Sequence, residues 1–152
     1  MKINDRLTNL SFQVGENKVI KDLDLKDNIT IIYFYPKDDT PGCTKEAIEF
    51  GDYFEKLKKL GVKIIGVSKD SIEKHKKFKD KYSIKFDLAS DDGSLCSLFK
   101  VWVEKSMYGK KYMGIERSTF VIDKDLKILN IWRNVKVKGH VEEVYNFIHS
   151  LS

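Results

Sequence analysis

The chain has 152 residues, 41% hydrophobic and 34% charged, which fits one folded domain over residues 1–152 and argues against disorder. Two cysteines and three unclustered histidines exclude a disulfide framework, and they predict neither a metal site nor another cofactor. The net charge is +5, but all except three of the 28 basic residues are lysines interleaved with acids, which predicts a solvated surface and no nucleic-acid partner.

The first elements are predicted to be strands. Residues 10–20 carry apolar side chains on both sides of Gly15-Glu16-Asn17, a pattern typical of a small hairpin. Residues 29–35 form an apolar run of β-branched and aromatic side chains. Such a run predicts a strand buried on both faces, and Pro36 ends it.

A helix is predicted to begin at Thr40. Thr40 suits the N-cap and Pro41 the first helical position, and apolar residues then recur at three- and four-residue steps as far as a stop at Gly61. Residues 62–67 predict another buried strand, and a lysine-rich helix follows from Ser71 to about Tyr82.

The rest of the chain continues the alternation. We expect a short strand over residues 86–89, a short helix over 92–99 and a loop over 103–116. A two-stranded hairpin over residues 117–132 and a closing helix over 141–151 follow. Parallel crossovers followed by a late antiparallel hairpin indicate a three-layer α/β sandwich with a central mixed sheet and an N-terminal hairpin. The thioredoxin-like architecture fits this order.

Cys43 is the residue that carries a chemical prediction. It lies in the first turn of a helix, one loop after a buried strand, where open α/β sheets bind ligands. The free N–H groups and partial positive charge of a helix N-terminus stabilise a thiolate, which is the nucleophilic form of cysteine. A dithiol exchange centre would need Cys-x-x-Cys, but Thr40 occupies the earlier position. The alternative is that Cys43 is a small buried apolar residue. The proline-initiated turn after Asp38 and Asp39 favours the reactive thiol.

Two segments resemble the peroxiredoxins, and within them the bacterioferritin comigratory protein, or PrxQ, group. Residues 33–47 read YFYPKDDTPGCTKEA, in which Pro36, Thr40 and Cys43 match the family pattern Pro-x-x-x-Thr-x-x-Cys. Residues 101–123 read VWVEKSMYGKKYMGIERSTFVID and resemble the second block of the same group. The resemblance covers nearly the whole chain.

This resemblance implies peroxide reduction by a Cys43 thiolate, with hydrogen peroxide and small organic hydroperoxides as substrates. The Thr40 hydroxyl, the backbone N–H groups of the helix start and Arg117 would then stabilise the charge that moves from sulfur to the leaving oxygen. Pro36 would shield the thiolate from water. Without the resemblance, Arg117 would be interpreted as a charge at a strand edge and Pro36 as a strand terminator.

The second cysteine leaves two mechanisms open. Many members of the group place a resolving cysteine five residues after the first, where this chain has Ile48, or in the next helix near Phe78-Lys79, where it has none. Cys96 is the only other thiol, and it is interpreted either as a core residue or as an unusual resolving cysteine. The one-cysteine mechanism is preferred, with thioredoxin, glutaredoxin or a small thiol reducing the Cys43 sulfenic acid.

Other candidates have simpler interpretations. Glu46 is expected to pair with a lysine or to be a solvated helix charge. Three histidines on predicted helices are expected at the surface: His75, His140 and His149.

Two further function classes remain as alternatives: a thioredoxin-like redox sensor or binding module without sustained turnover, and, last, a nucleic-acid protein. No signal-peptide pattern and no membrane-spanning apolar run is present, so a cytoplasmic protein with no membrane partner is expected. The resemblance makes a monomer the expected state.

Overall fold

The computed structural model describes residues 1–152, which form nine strands and six helices. The strands are β1 (Ser11–Gly15), β2 (Lys18–Lys21), β3 (Ile29–Phe34), β4 (Val62–Ser68), β5 (Asp87–Ser90), β6 (Trp102–Met107), β7 (Lys110–Ile115), β8 (Ser118–Ile122) and β9 (Ile128–Trp132). The helices are α1 (Asp22–Leu25), α2 (Pro41–Asp52), α3 (Phe54–Lys59), α4 (Ile72–Tyr82), α5 (Ser94–Leu98) and α6 (His140–His149).

Seven strands form one mixed sheet in the order β2-β1-β5-β4-β3-β8-β9. The central strands β3, β4 and β5 run parallel, and the other neighbouring pairs are antiparallel. Because parallel strands end at the same edge of a sheet, the loops that follow β3 and β4 lie side by side. The predicted N-terminal hairpin is confirmed as β1 and β2, with Phe12 opposite Ile20.

Helices cover both faces of this sheet, as the three-layer prediction requires. Alternate residues of β3 point to opposite sides, so that Tyr33 and Ile32 belong to different apolar clusters. On the side of Tyr33, which we call the α2 face, lie α2, α3, α4 and α6. On the side of Ile32, which we call the α5 face, lie α1 and α5. No helix is long and apolar enough to cross a membrane.

The prediction of a loop over residues 103–116 is wrong, because these residues form the two-stranded hairpin of β6 and β7. The turn is Tyr108-Gly109, and both residues have positive φ, 52° and 78°. Two successive left-handed residues match the twist of a two-residue hairpin, and glycine favours that conformation. Ile115 is the only buried residue of this hairpin, so its sequence has no alternating apolar pattern from which strands could be predicted.

The single helix expected between Thr40 and Gly61 is two helices. The chain turns at Tyr53, whose N–H is shared between the carbonyls of Glu49 and Phe50, and α3 starts at the next residue. Gly61 has a φ of 74° and follows the end of α3, as predicted for a C-terminal stop.

Close packing of β3 against β4 gives a stability prediction. A Cβ at Gly66 would lie 2.8 Å from Leu88 Cδ2 and 2.9 Å from the Tyr33 hydroxyl, whereas a Cβ at Gly51 would meet nothing within 4 Å. We expect Gly66→Ala to lower the free energy of unfolding by about 1–3 kcal/mol through overpacking. The matched change Gly51→Ala should raise it by about 0.5–1 kcal/mol, because alanine is the better helix former. Urea unfolding of the two variants measures both values, and equal effects would contradict the close packing at Gly66.

Candidate functional site

The candidate site is built around the Cys43 sulfur at the start of α2. Cys43 is only 2% exposed and packs in the α2-face cluster with Tyr33 and Ala47. The N–H groups of Gly42 and Cys43 have no acceptor within the chain, as expected in the first turn of a helix. The sulfur therefore lies at the positive end of α2 and beside two free backbone donors.

Arg117 reaches this sulfur from the two-residue connection between β7 and β8. Its Nη2 donates to Cys43 Sγ at 3.4 Å, and its Nη1 donates to Glu46 Oε1 at 2.7 Å. A Cβ at Gly42 would lie 3.2 Å from Nη2, so the missing side chain lets the guanidinium approach the helix start. The planar fork of arginine presents one N–H donor to each partner in a fixed geometry, whereas a lysine ammonium is a point charge without that fork. A cation next to sulfur stabilises the thiolate.

Glu46 is the anionic partner that the sequence interpretation missed. Its side chain is fully buried and pairs with Arg117, instead of pairing with a lysine or lying in solvent as expected. Burial raises the pKa of Glu46 to about 7, and the Arg117 charge offsets part of that rise. Its second oxygen, Oε2, has no hydrogen-bond partner. Spacing offered a signal, because a residue three positions after Cys43 lies next to it on the helix surface.

The structure places Thr40 at the N-cap as predicted, but its hydroxyl has another partner. Thr40 Oγ1 donates to the carbonyl of Lys37 at 2.9 Å and makes no capping bond to α2. Its proton is therefore already used, and only the oxygen lone pairs remain available to a ligand. Pro36 is an exposed residue in the bend after Tyr35.

The loop before Cys43 is tied to α4 by a buried histidine. His75 is 2% exposed, so the prediction of a surface histidine is wrong at this position. Its Nδ1 lies 2.6 Å from Asp38 Oδ2, and its Nε2 lies 3.0 Å from the carbonyl of Ala89. Tyr35 donates its hydroxyl proton to the other oxygen of Asp38 at 2.5 Å.

The other two histidines, His140 and His149, differ in burial. His140 is also buried, against the prediction, and its Nε2 lies 2.7 Å from the Thr119 hydroxyl. Burial lowers the pKa of His140 to about 4, so it is neutral at physiological pH. His149 is exposed, as predicted.

Cys96 lies on the opposite side of the sheet from Cys43. It is fully buried in the α5-face cluster, whereas Cys43 belongs to the α2-face cluster. Burial, together with the neighbouring Asp91 carboxylate, raises the pKa of the Cys96 thiol well above its ordinary value. Both thiols are free, and a central strand layer separates them.

Burial of Glu46 produces a pH dependence of stability. The pKa of the Glu46 carboxyl is 4.5 in the unfolded chain and about 7 in the folded protein. The group therefore contributes its full stabilisation below pH 4.5, and this contribution is lost as the pH rises through about 7. We expect Glu46→Gln to abolish this pH-dependent loss of stability, because glutamine does not ionise but keeps an oxygen that can accept from Arg117. The difference in free energy of unfolding between variant and wild type should grow with pH to on the order of 3 kcal/mol.

Urea unfolding from pH 4.5 to 8 measures this difference. Glu49→Gln, on the same helix but partly exposed beside Lys45, is the matched control. A difference between Glu46→Gln and wild type that is the same at every pH would contradict the burial effect.

A comparison with known protein families matches residues 3–131 to the AhpC/TSA family. Among curated relatives, the putative peroxiredoxin bcp of Coxiella burnetii is 46% identical over 145 residues, which cover 95% of this chain and 96% of the relative. Peroxiredoxin Bcp of Bacillus subtilis is 45% identical over 100% of this chain and 98% of its own length.

Solved structures give the same result. A mutant of Xylella fastidiosa PrxQ superposes with a TM-score of 0.93 at 38% identity, covering 99% of this chain and 96% of that one. The bacterioferritin comigratory protein of Xanthomonas campestris, whose structures address alkyl peroxide reduction activity, has a TM-score of 0.90 at 36% identity and covers 97% of this chain and 98% of that one. The thioredoxin-like fold is thereby confirmed. With relatives matched over their full length and a thiol at the start of α2, the chain belongs to the AhpC/TSA family and, within it, to the peroxiredoxins of the Bcp/PrxQ group.

Proposed function

We propose that the protein is a thiol peroxidase in which Cys43 is oxidised by hydrogen peroxide and small organic hydroperoxides. The observation that carries this assignment is the contact between the Arg117 guanidinium and the Cys43 sulfur at the first turn of α2. The Cys43 sulfur lies at a helix N-terminus whose first N–H groups have no backbone acceptor, and it accepts a hydrogen bond from a cation. This arrangement supports a thiolate and stabilises negative charge on an oxygen bound next to it.

In the first step the Cys43 thiolate attacks the terminal oxygen of the hydroperoxide. An S–O bond forms as the O–O bond breaks, and the products are a sulfenic acid and an alkoxide or hydroxide that takes up a proton. Arg117 and the free N–H groups of Gly42 and Cys43 donate to the substrate oxygens as charge moves onto the leaving one.

Thr40 takes a different part from the one the sequence indicated. Because its proton is given to Lys37, its oxygen accepts the O–H of the hydroperoxide and orients the attacked oxygen. Pro36 limits the access of water from the bend next to the loop. Neither residue takes a proton from the substrate.

In the second step an external thiol attacks the sulfenic sulfur, releases water and forms a mixed disulfide that a further thiol reduces. A resolving role for Cys96 has no support from its position beyond the sheet or its raised pKa. The reductant class is thioredoxin, glutaredoxin or a small thiol, acting on a monomeric enzyme in the cytoplasm.

The two cysteines give a direct test. We expect Cys43→Ser to abolish peroxide consumption, because a serine hydroxyl is not ionised at neutral pH, and Cys96→Ser to retain turnover with thioredoxin, glutaredoxin or dithiothreitol. Steady-state peroxide consumption measures both. Wild-type consumption that stops after one equivalent with every reductant would support the redox-sensor alternative.

Mass analysis after one equivalent of peroxide, without reductant, separates the two resolving mechanisms. The one-cysteine mechanism predicts a species heavier by one oxygen atom in both wild type and Cys96→Ser. A wild-type species lighter by two hydrogens, which disappears in Cys96→Ser, would show an intramolecular disulfide and contradict the mechanism.

Arg117 gives a second test of the site. Arg117→Lys keeps the positive charge but loses the planar guanidinium that places one donor on Glu46 and another on Cys43, so the rate constant for oxidation by peroxide should fall by about 10²–10³. Arg6→Lys is the matched control, because Arg6 is exposed and donates only to the carbonyl of Asp125. Rapid-mixing measurement of thiol oxidation gives the constant, and an unchanged rate in Arg117→Lys would remove Arg117 from the reaction.

A further inference from the structure

The Pro36–Thr40 loop, which leads into the Cys43 helix, is attached to α4 at two consecutive residues. Asp38 binds His75, and its N–H donates to Asp70 Oδ2 at 2.8 Å. Asp39 accepts hydrogen bonds from Lys81 Nζ at 2.8 Å and from the Tyr82 hydroxyl at 2.5 Å. Since the loop continues directly into the first turn of α2, α4 fixes the position of the Cys43 sulfur through these bonds.

The buried half of this attachment is the stronger one. The side chains of His75 and Asp38 are only 3% and 6% exposed, whereas those of Lys81 and Asp39 are 58% and 41% exposed. Exposed ion pairs contribute little to stability, while a buried charged hydrogen bond is costly to break. Loss of His75 is therefore the change that should release the loop.

His75 joins two separate parts of the chain. Its Nε2 lies 3.0 Å from the Ala89 carbonyl on β5, and its Nδ1 lies 2.6 Å from Oδ2 of Asp38, five residues before Cys43. The ring is thus held between the loop and β5.

The two halves of the catalytic cycle require different degrees of access to the Cys43 sulfur. In the closed site, where Cys43 is only 2% exposed, Arg117 and the N–H groups are in place for oxidation by a small hydroperoxide. A thiol attached to a larger molecule cannot reach the sulfenic sulfur unless the loop moves. A bond that holds the loop closed therefore favours oxidation and slows reduction by large thiols.

We propose that His75 is a positioning residue for the reaction, because its bridge from Asp38 to Ala89 holds the cysteine loop closed and so sets the balance between oxidation by peroxide and reduction by external thiols. This inference rests on the proposed function, since it assumes that an external thiol reduces the sulfenic acid. No part of it requires His75 to touch the substrate.

The test measures the two half-reactions separately in His75→Ala. Rapid quenching followed by mass analysis gives the rate of sulfenic acid formation by hydrogen peroxide and its rate of removal by 2-mercaptoethanol or glutathione. We expect oxidation to slow by about tenfold or more, because the donors around the sulfur are displaced. Removal by glutathione should accelerate several-fold, and by more than removal by the smaller 2-mercaptoethanol.

His75→Asn is the conservative variant, because its amide can still donate to Asp38 although it cannot also reach the Ala89 carbonyl. Its oxidation rate and its preference between the two thiols should lie between those of His75→Ala and wild type, because the bond to Asp38 is kept and the link to Ala89 is lost. His149→Ala, at an exposed histidine of α6, is the matched control and should behave like wild type. Urea unfolding of each variant shows whether it is folded under the assay conditions.

Opposite changes in the two half-reactions cannot arise from general loss of structure, which would slow both. The proposal is overturned if the half-reactions of His75→Ala are unchanged, if both slow together, or if His75→Asn has the same rates as His75→Ala. Failure of the proposed function has a different signature, because the wild-type sulfenic acid would then not form or would not be removed by either thiol.

Discussion

One guanidinium holds the candidate site together. Arg117 is 74 residues from Cys43 and 71 residues from Glu46 along the chain, yet it donates to both. A thiolate and a carboxylate buried side by side would repel each other, and the arginine between them is what permits that arrangement. Because burial also raises the pKa of Glu46 to about 7, the carboxylate can become neutral and leave more of the arginine charge for the sulfur. The site thus depends on the approach of β8 to the start of α2.

The sheet keeps the two cysteines apart. Successive residues of β3 point to opposite faces, and each face has its own apolar cluster and its own helices. Cys43 and Cys96 occupy different clusters, so a disulfide between them would require one helix to leave its face of the sheet. Ile48, five residues after Cys43 on α2, is 42% exposed and carries no thiol. The fold therefore places no second thiol beside Cys43.

Local patterns predicted the elements that have a strong apolar signature. The β3 run, the Thr40–Pro41 helix start and the stop at Gly61 are each encoded within a few residues, and each is confirmed. The β6–β7 hairpin was missed because its side chains are largely exposed and its stability comes from pairing between its two strands. The break at Tyr53 was missed because the apolar positions of α3 continue the helical spacing of α2.

The candidate site was only partly predictable for a related reason. Cys43 could be identified from its place after a strand and at a helix start, whereas Arg117 needed the family resemblance. Glu46 and His75 were assigned to the surface because their burial depends on partners far along the chain, which no local window contains. His75 offered one signal, since it lies three residues before the buried Phe78 on the same face of α4.

The charged side chains just before α2 also affect the electrostatic environment of the Cys43 sulfur. Asp38 and Asp39 immediately precede α2, and two free carboxylates at that point would cancel the positive end of the helix and disfavour a thiolate. The structure shows that neither carboxylate is free, because Asp38 binds His75 and Asp39 binds Lys81. Lys81 and Asp39 shift each other's pKa, with that of Asp39 lowered by its hydrogen bond to Lys81. Both carboxylates are thereby hydrogen-bonded to α4, which fastens the loop and leaves the positive end of α2 to the Cys43 sulfur.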